Sequence, residues 1–280
     1  MSSRIWRRVV PILCAALAAA AAASAAAGHP SKYPASLVVI GGGDAVGVGA
    51  DAAHPYRDAP ADSWVTGTNP AVNSIYSRVL ATDPSLRGHA YNLSSDDTGI
   101  DDLGRLVAKT VALSPKPQLV IVDIDGDVQC DGKDSARVAD FGTKLGTALT
   151  TLSHGDPGAR IFVVSYWGSF SSYVQYLRGL PLNARLKHAG KSLCQFVSAP
   201  SGTVELSHVA YVEKFAYAYD AQLKAQCAKV PNCRYDGGAA QRLDTTAGDL
   251  NVTQEDLSEQ GQAKLAETEW AAMSSFVSGF

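Results

Sequence analysis

The sequence predicts an α/β domain, a three-layer α/β/α sandwich with a parallel sheet of about five strands, and three observations carry that prediction. Leu37–Ile40, Gln118–Ile124 and Arg160–Tyr166 are short, nearly continuous apolar runs, as strands covered on both faces should be. Stretches with helical spacing separate them, and strands alternating with helices imply a parallel sheet. The first run ends in Gly41-Gly42-Gly43, with Gly47 and Gly49 just beyond, a turn that lets the backbone reverse at the strand's C-terminal end. In such folds that edge is where ligands bind. A dinucleotide fingerprint fits poorly, because Asp51, His54, Pro55 and Pro60 follow in place of a clear helix.

The elements follow in order. Met1–Ala27 reads as a secretory signal peptide: Arg4, Arg7 and Arg8 precede an alanine-rich apolar stretch, and Ala25-Ala26-Ala27 is a small-residue cleavage pattern. Leu13 before Cys14 argues against a lipoprotein site, and an uncleaved membrane anchor is the alternative. Residues 28–280 then form a single domain, expected to be exported and monomeric, with no membrane span once the leader is gone. Thr68-Asn69-Pro70 opens a helix to about Leu80. A short strand at His89–Leu93 leads to an acidic, glycine-containing turn, Ser94–Gly99, and a helix over Ile100–Leu113. Further helices are expected over 138–152, 173–180, 209–229 and 258–276. In the 209–229 helix, Val212, Phe215, Ala216, Tyr219 and Leu223 form a buried stripe.

The leader holds three of the 24 basic residues and none of the 27 acidic ones, so the remainder carries a formal charge of −6. Nothing in that balance favours a nucleic-acid partner. Four cysteines remain. The short interval pairs Cys227 with Cys233 and leaves Cys130 with Cys194 as a second disulfide; metal ligation is the alternative, without a CxxC spacing to support it.

At this point the chain resembles the SGNH (GDSL-type) hydrolases, exported bacterial esterases and lipases in particular. GDAVGVG resembles the family's GDSxxxG block, and SWVTGTNP and NLSSDDTG follow in the expected order. IDGDVQCDG resembles GxND, and NCRYDGG with EDLSEQGQAKLAETEW resembles the C-terminal DxxHLS region. The resemblance implies the flavodoxin-like SGNH-hydrolase sandwich and a site at the C-terminal strand ends. A member would carry a serine nucleophile, an oxyanion hole from that serine's amide, a glycine and an asparagine, and a histidine base supported by an aspartate.

Those positions fall on other residues here: Ala45 for the serine, Asp97 for the glycine, Gly126 for the asparagine, Asp256 for the histidine and Thr253 for its aspartate. A shifted register puts Gly43 in the serine's place. Neither alanine nor glycine has an oxygen with which to attack a carbonyl. An ordinary aspartate is a far weaker base than imidazole near neutral pH. Loss of one oxyanion donor alone costs about 3–4 kcal/mol in the transition state. No GxSxG elbow offers a substitute. His29, His54, His89, His154, His188 and His208 read as solvated or structural, with His54 and His208 the two of most interest, and Ser94, Ser95 and Ser258 as turn and cap residues.

The substitutions leave Asp44, Asp97, Asp125, Asp127 and Asp256 converging on one mouth. Such carboxylates could hold Ca²⁺ or Mg²⁺, the alternative being helix caps and solvated acids. Tyr166, Trp167, Phe170, Tyr173 and Tyr176 form either a ligand wall or core packing. Asn92-Leu93-Ser94 and Asn251-Val252-Thr253 match the glycosylation sequon. Three functions follow: a disabled esterase or lipase retained to bind a small ester, lipid or carbohydrate; an active esterase using other residues; or a cation-binding variant.

Overall fold

A computed structural model describes residues 33–166, 168–190, 192–199, 201–252 and 256–278. The signal peptide with Cys14, His29, Trp167 and Thr253 therefore lie outside the described residues.

Five parallel strands form one sheet: β1 (Leu37–Gly41), β2 (Ala90–Asn92), β3 (Leu119–Asp123), β4 (Arg160–Val163) and β5 (Cys233–Tyr235), in the spatial order β2-β1-β3-β4-β5. The order reverses beside β1, and β1 and β3 pair in register from Leu37–Leu119 to Gly41–Asp123. Their C-terminal ends thus stop together at the edge where open α/β sheets leave a crevice. Side chains alternate cleanly along the buried strands. Val38, Ile40, Val120, Val122, Ile161 and Val163 enter one core layer, under α3 (Leu103–Val111), α4 (Asp134–Gly155) and α7 (Leu206–Cys227). Leu37, Val39, Leu119, Ile121 and Phe162 enter the other, with Trp64, α2 (Ile75–Thr82) and α8 (Glu259–Val277). A smaller cluster of Val174, Leu177, Phe196, Val197, Val209 and Val212 packs α5 (Phe170–Gly179) against α7 above the strand ends.

Several boundaries differ from the sequence reading, each for a local reason. The glycine turn contains one helical turn, α1 (Gly43–Val46), closed by Gly47 in the left-handed region. Asn69 does not cap a helix but closes a side-chain turn onto the Ala71 amide at 2.9 Å, and Asn73 takes φ +49°. The true cap is Ser74, whose Oγ accepts from the Ser77 amide, so α2 starts at Ile75. Strand β4 ends at Val163, β5 is a three-residue edge strand, and α6 (Leu182–His188) adds a short helix. Both cysteine pairs are as expected, Cys130 with Cys194 and Cys227 with Cys233, each with Cα atoms 5.4 Å apart. Among the described residues no helix is long and apolar enough to cross a membrane.

Candidate functional site

The crevice above the strand ends is a cavity of about 530 Å³. Its floor comes from four separate turns: Gly43 and Asp44 after β1, Asp96 after β2, Asp125 after β3, and Asp256 before α8. Its wall comes from the segment after β4: Tyr166, Gly168, Ser169, Phe170 and Tyr173, then His188, Ser192, Leu193 and Phe196, with Thr245 and Leu250 closing the side. Among the described residues the lining holds no lysine or arginine.

Backbone geometry fixes this arrangement. Gly41 must be glycine, because a Cβ there would lie 1.6 Å from the Asp123 carbonyl oxygen at φ +155°. The Gly42 amide then donates to that same oxygen at 3.0 Å, which starts the turn. Side chains clamp the turn from below: Ser63 Oγ and Asn92 Nδ2 donate to the Ala45 carbonyl at 2.7 and 2.8 Å, and Gln262 Nε2 donates to the Asp44 carbonyl at 3.1 Å. Ala45 itself is fully buried in the core layer of Trp64 and Val39. Gly43 and Asp44 are the residues of this turn that face the cleft. A Cβ at Gly43 would meet Val48 Cγ1 at 2.7 Å and Asp96 Oδ1 at 3.0 Å.

The other predicted positions divide in the same way. Asp44, Asp125 and Asp256 line the cleft. Asp97 is exposed outside the lining, and its neighbour Asp96 takes the place in the cleft. Asp127 is also exposed and contacts Gln129 Nε2. Gly126 turns into the core, where an added Cβ would lie 2.1–2.3 Å from three atoms of the Tyr219 ring. Among the described residues no three His, Cys, Asp or Glu side chains are placed to hold a metal ion. His54 pairs with Asp51 at 2.7 Å on the surface, and His208 sits beside the Gln195 carbonyl, both away from the cleft. His188 is the histidine in the cleft wall. Of the aromatic run, Tyr166, Phe170 and Tyr173 line the cavity and Tyr176 does not.

Crowded acids set the electrostatics. The half-buried Asp44 carboxyl is held well above its ordinary range, first by burial and then by Asp123, Asp125, Asp256 and Asp96. Asp125 is open to water in the cleft but enclosed by its walls, and that enclosure, with Asp123 and Asp220, pushes it up too. Asp96 is raised by burial and by Asp58 and Asp97. Beneath the floor, buried Asp123 is pushed up to about 6 by desolvation, against the lowering effect of the Trp64 indole, which donates to its Oδ2 at 3.0 Å. Deeper still, Glu269 on α8 is fully buried. Asp236 and the Ala240 amide are its polar neighbours, without hydrogen-bond geometry, and its carboxyl is held well above the ordinary range.

The serines of the cleft are occupied by local structure. Ser169 Oγ accepts from the Ser172 amide at the start of α5, and Ser192 Oγ accepts from the Val197 amide at 2.9 Å. The Thr245 hydroxyl, in a residue only 7% exposed, has no hydrogen-bond partner among the described residues.

No protein-family model matches the sequence, and no curated protein matches it. Among solved structures the chain is similar to an extracellular lipase from Streptomyces rimosus, with 17% identity over 85% of this chain and 99% of that one at a TM-score of 0.47. It is also similar to a phospholipase A1 from Streptomyces albidoflavus, with 14% identity over 86% and 98% at 0.45. A third likeness is to a catalytic mutant of an acetylxylan esterase from Geobacillus stearothermophilus, with 14% identity over 85% and 93% at 0.48. At such identities and scores nothing about this chain's chemistry follows from them.

Proposed function

We propose that this chain is an exported domain of the SGNH-hydrolase type whose ester-cleaving machinery is disabled and whose cleft binds a small ligand. One observation carries the reading: the turns that would deliver nucleophile, oxyanion donors and base deliver Gly43, Asp44, Asp96, Asp125 and Asp256 to the cleft. Ester hydrolysis builds negative charge on the carbonyl oxygen, and carboxylates around that oxygen raise the barrier that amide donors would lower. Glycine supplies no nucleophile. Export is supported by the leader pattern and by two disulfides in a chain of this size.

That His188, Ser169 and Ser192 line the same cavity favours a second reading, hydrolysis through residues of the wall. One experiment separates the two. Purified protein is exposed to a fluorophosphonate that labels serine nucleophiles, and its intact mass is read. The disabled reading predicts an unchanged mass, whereas a stoichiometric adduct that disappears in His188→Ala establishes the second reading.

A further inference from the structure

We infer that the segment walling the cleft, from α5 through α6 to the start of α7, docks on an anionic lipid surface. This goes beyond the binding reading above and holds whatever the cleft takes up.

Charge singles out this segment. Between Asp156 and Glu205 the sequence holds no acidic residue, in a chain whose residues beyond the leader carry −6. Arg178 on α5, with Arg185 and Lys187 on α6, gives the segment its basic groups. Lys191, outside the described residues, adds the same sign by sequence. Arg185 Nη1 donates to the Arg178 carbonyl at 3.0 Å, which holds the basic end of α5 beside α6. Among the described residues none of Arg178, Arg185 and Lys187 forms an ion pair.

Apolar exposure falls on the same segment. Every exposed leucine among the described residues lies in it: Leu182, Leu186, Leu193 and Leu206. Exposed leucines scattered singly are ordinary on a protein surface, and such a concentration is not. Leu182 and Leu186, 50% and 40% exposed, stand four residues apart on one face of α6. Both flank the turn at Gly202, where an added Cβ would lie 2.9 Å from Leu182 and 3.4 Å from Leu186. His188 follows Leu186 by two residues, about 200° around the helix, and is buried in the cavity wall. The helix thus gives His188 to the cleft and its leucines to the other side. None of Arg178, Leu182, Arg185, Leu186 and Lys187 lines the cavity, so the basic, apolar face is not the one turned to the acidic floor. Leucines among guanidinium and ammonium groups complement a lipid boundary, the leucines entering the acyl region and the cations lying among anionic headgroups. Protein hot spots are poor in leucine, which favours lipid over an acidic protein partner.

Vesicle sedimentation of the secreted chain, with loss of the leader read from its intact mass, tests this. The vesicles are phosphatidylcholine alone, or phosphatidylcholine and phosphatidylglycerol in equal parts, at low and moderate salt. The chain should bind the anionic vesicles roughly tenfold or more tightly than the neutral ones and weaken as salt rises. Arg178→Glu with Lys187→Glu, and Leu182→Ser with Leu186→Ser, should each weaken that binding about tenfold while keeping the thermal unfolding transition. Lys224→Glu with Lys229→Glu makes the same change of charge near the far end of α7, about 30 Å from its start, and should leave binding intact. Where the serine pair unfolds, Leu182→Trp supplies a second readout, since brominated acyl chains in the anionic vesicles should quench its emission. Equal affinity for both vesicles, affinity for neither, absence of quenching, or an equal loss in the Lys224 and Lys229 pair overturns the proposal. So does a dimer in sedimentation velocity that the leucine variant abolishes while vesicles stay unbound, which would make this face an interface between copies of the chain.

Discussion

Gly126 is expected to be glycine for the sake of one aromatic ring, and its replacement gives a measurable prediction. Its φ lies outside the positive range, so the backbone does not demand glycine there. The Tyr219 ring does: an added Cβ would sit 2.1 Å from Cδ1, whereas ordinary contact begins near 3.4 Å. The ring has nowhere easy to go. It is 2% exposed, meets Phe141 edge to face at 5.1 Å, and donates from its hydroxyl to the Asp127 carbonyl at 2.9 Å. Gly126→Ala therefore forces overpacking, about 1–3 kcal/mol, and breaks or strains a hydrogen bond worth about 1 kcal/mol. The sum, roughly 2–4 kcal/mol, corresponds to a fall in Tm of about 5–15 °C for a domain of this length. Urea unfolding of Gly126→Ala, Tyr219→Ala and the double variant forms the cycle to run. With the ring gone, Gly126→Ala should cost close to nothing. Additive costs, or a harmless Gly126→Ala in the unmodified chain, would refute the steric account.

Three further outcomes follow from the same structure. Glu269 and Asp123 ionise at higher pH folded than unfolded, so the stability they contribute is complete below the ordinary carboxyl range and is lost as pH rises. For Asp123 the loss runs from 3.8 to about 6 and amounts to roughly 3 kcal/mol at about 1.4 kcal/mol per unit. Glu269→Gln should flatten the decline of Tm between pH 5 and 7 and raise Tm at pH 7; an unchanged slope would count against the buried charge. By loop-closure entropy, losing Cys130–Cys194, 64 residues apart, should cost about 4 kcal/mol, against about 2 for Cys227–Cys233, 6 apart. Paired Cys→Ser variants in urea check that order, and limited proteolysis of the first should cut within residues 168–205. Ala45→Ser should confer no esterase activity, because its side chain points into the core; any gain in turnover would contradict that placement.

The sheet was legible because its central strands are unmixed apolar runs, and runs covered on both faces have no other reading at that length. Strand β5 was not, because Cys233-Arg234-Tyr235 sits half exposed at an edge and shows neither a run nor an alternation. Motif order located the cleft but could not phase its turns. Asp44 and Asp256 reach it as expected, while Asp96 takes the place of Asp97. At the first turn the pairing of Gly41 with Asp123 and the single turn of α1 set the phase, which carries Ala45 beneath the surface and brings Gly43 to the top. No count of residues along a motif contains that rotation. Thr245 and His188 lie outside every motif, and the aromatic crowding of residues 166–173 marked the wall but not its polar members.

The central claim is that four carboxylates and a glycine have replaced the hydrolytic machinery in this cleft. Initial rates on short- and medium-chain p-nitrophenyl esters, with the purified chain in large molar excess over a typical enzyme assay, test it most directly. The account predicts rates indistinguishable from buffer, with no burst of p-nitrophenol. Saturable turnover that falls away in His188→Ala would contradict it and move the chemistry to the cleft wall.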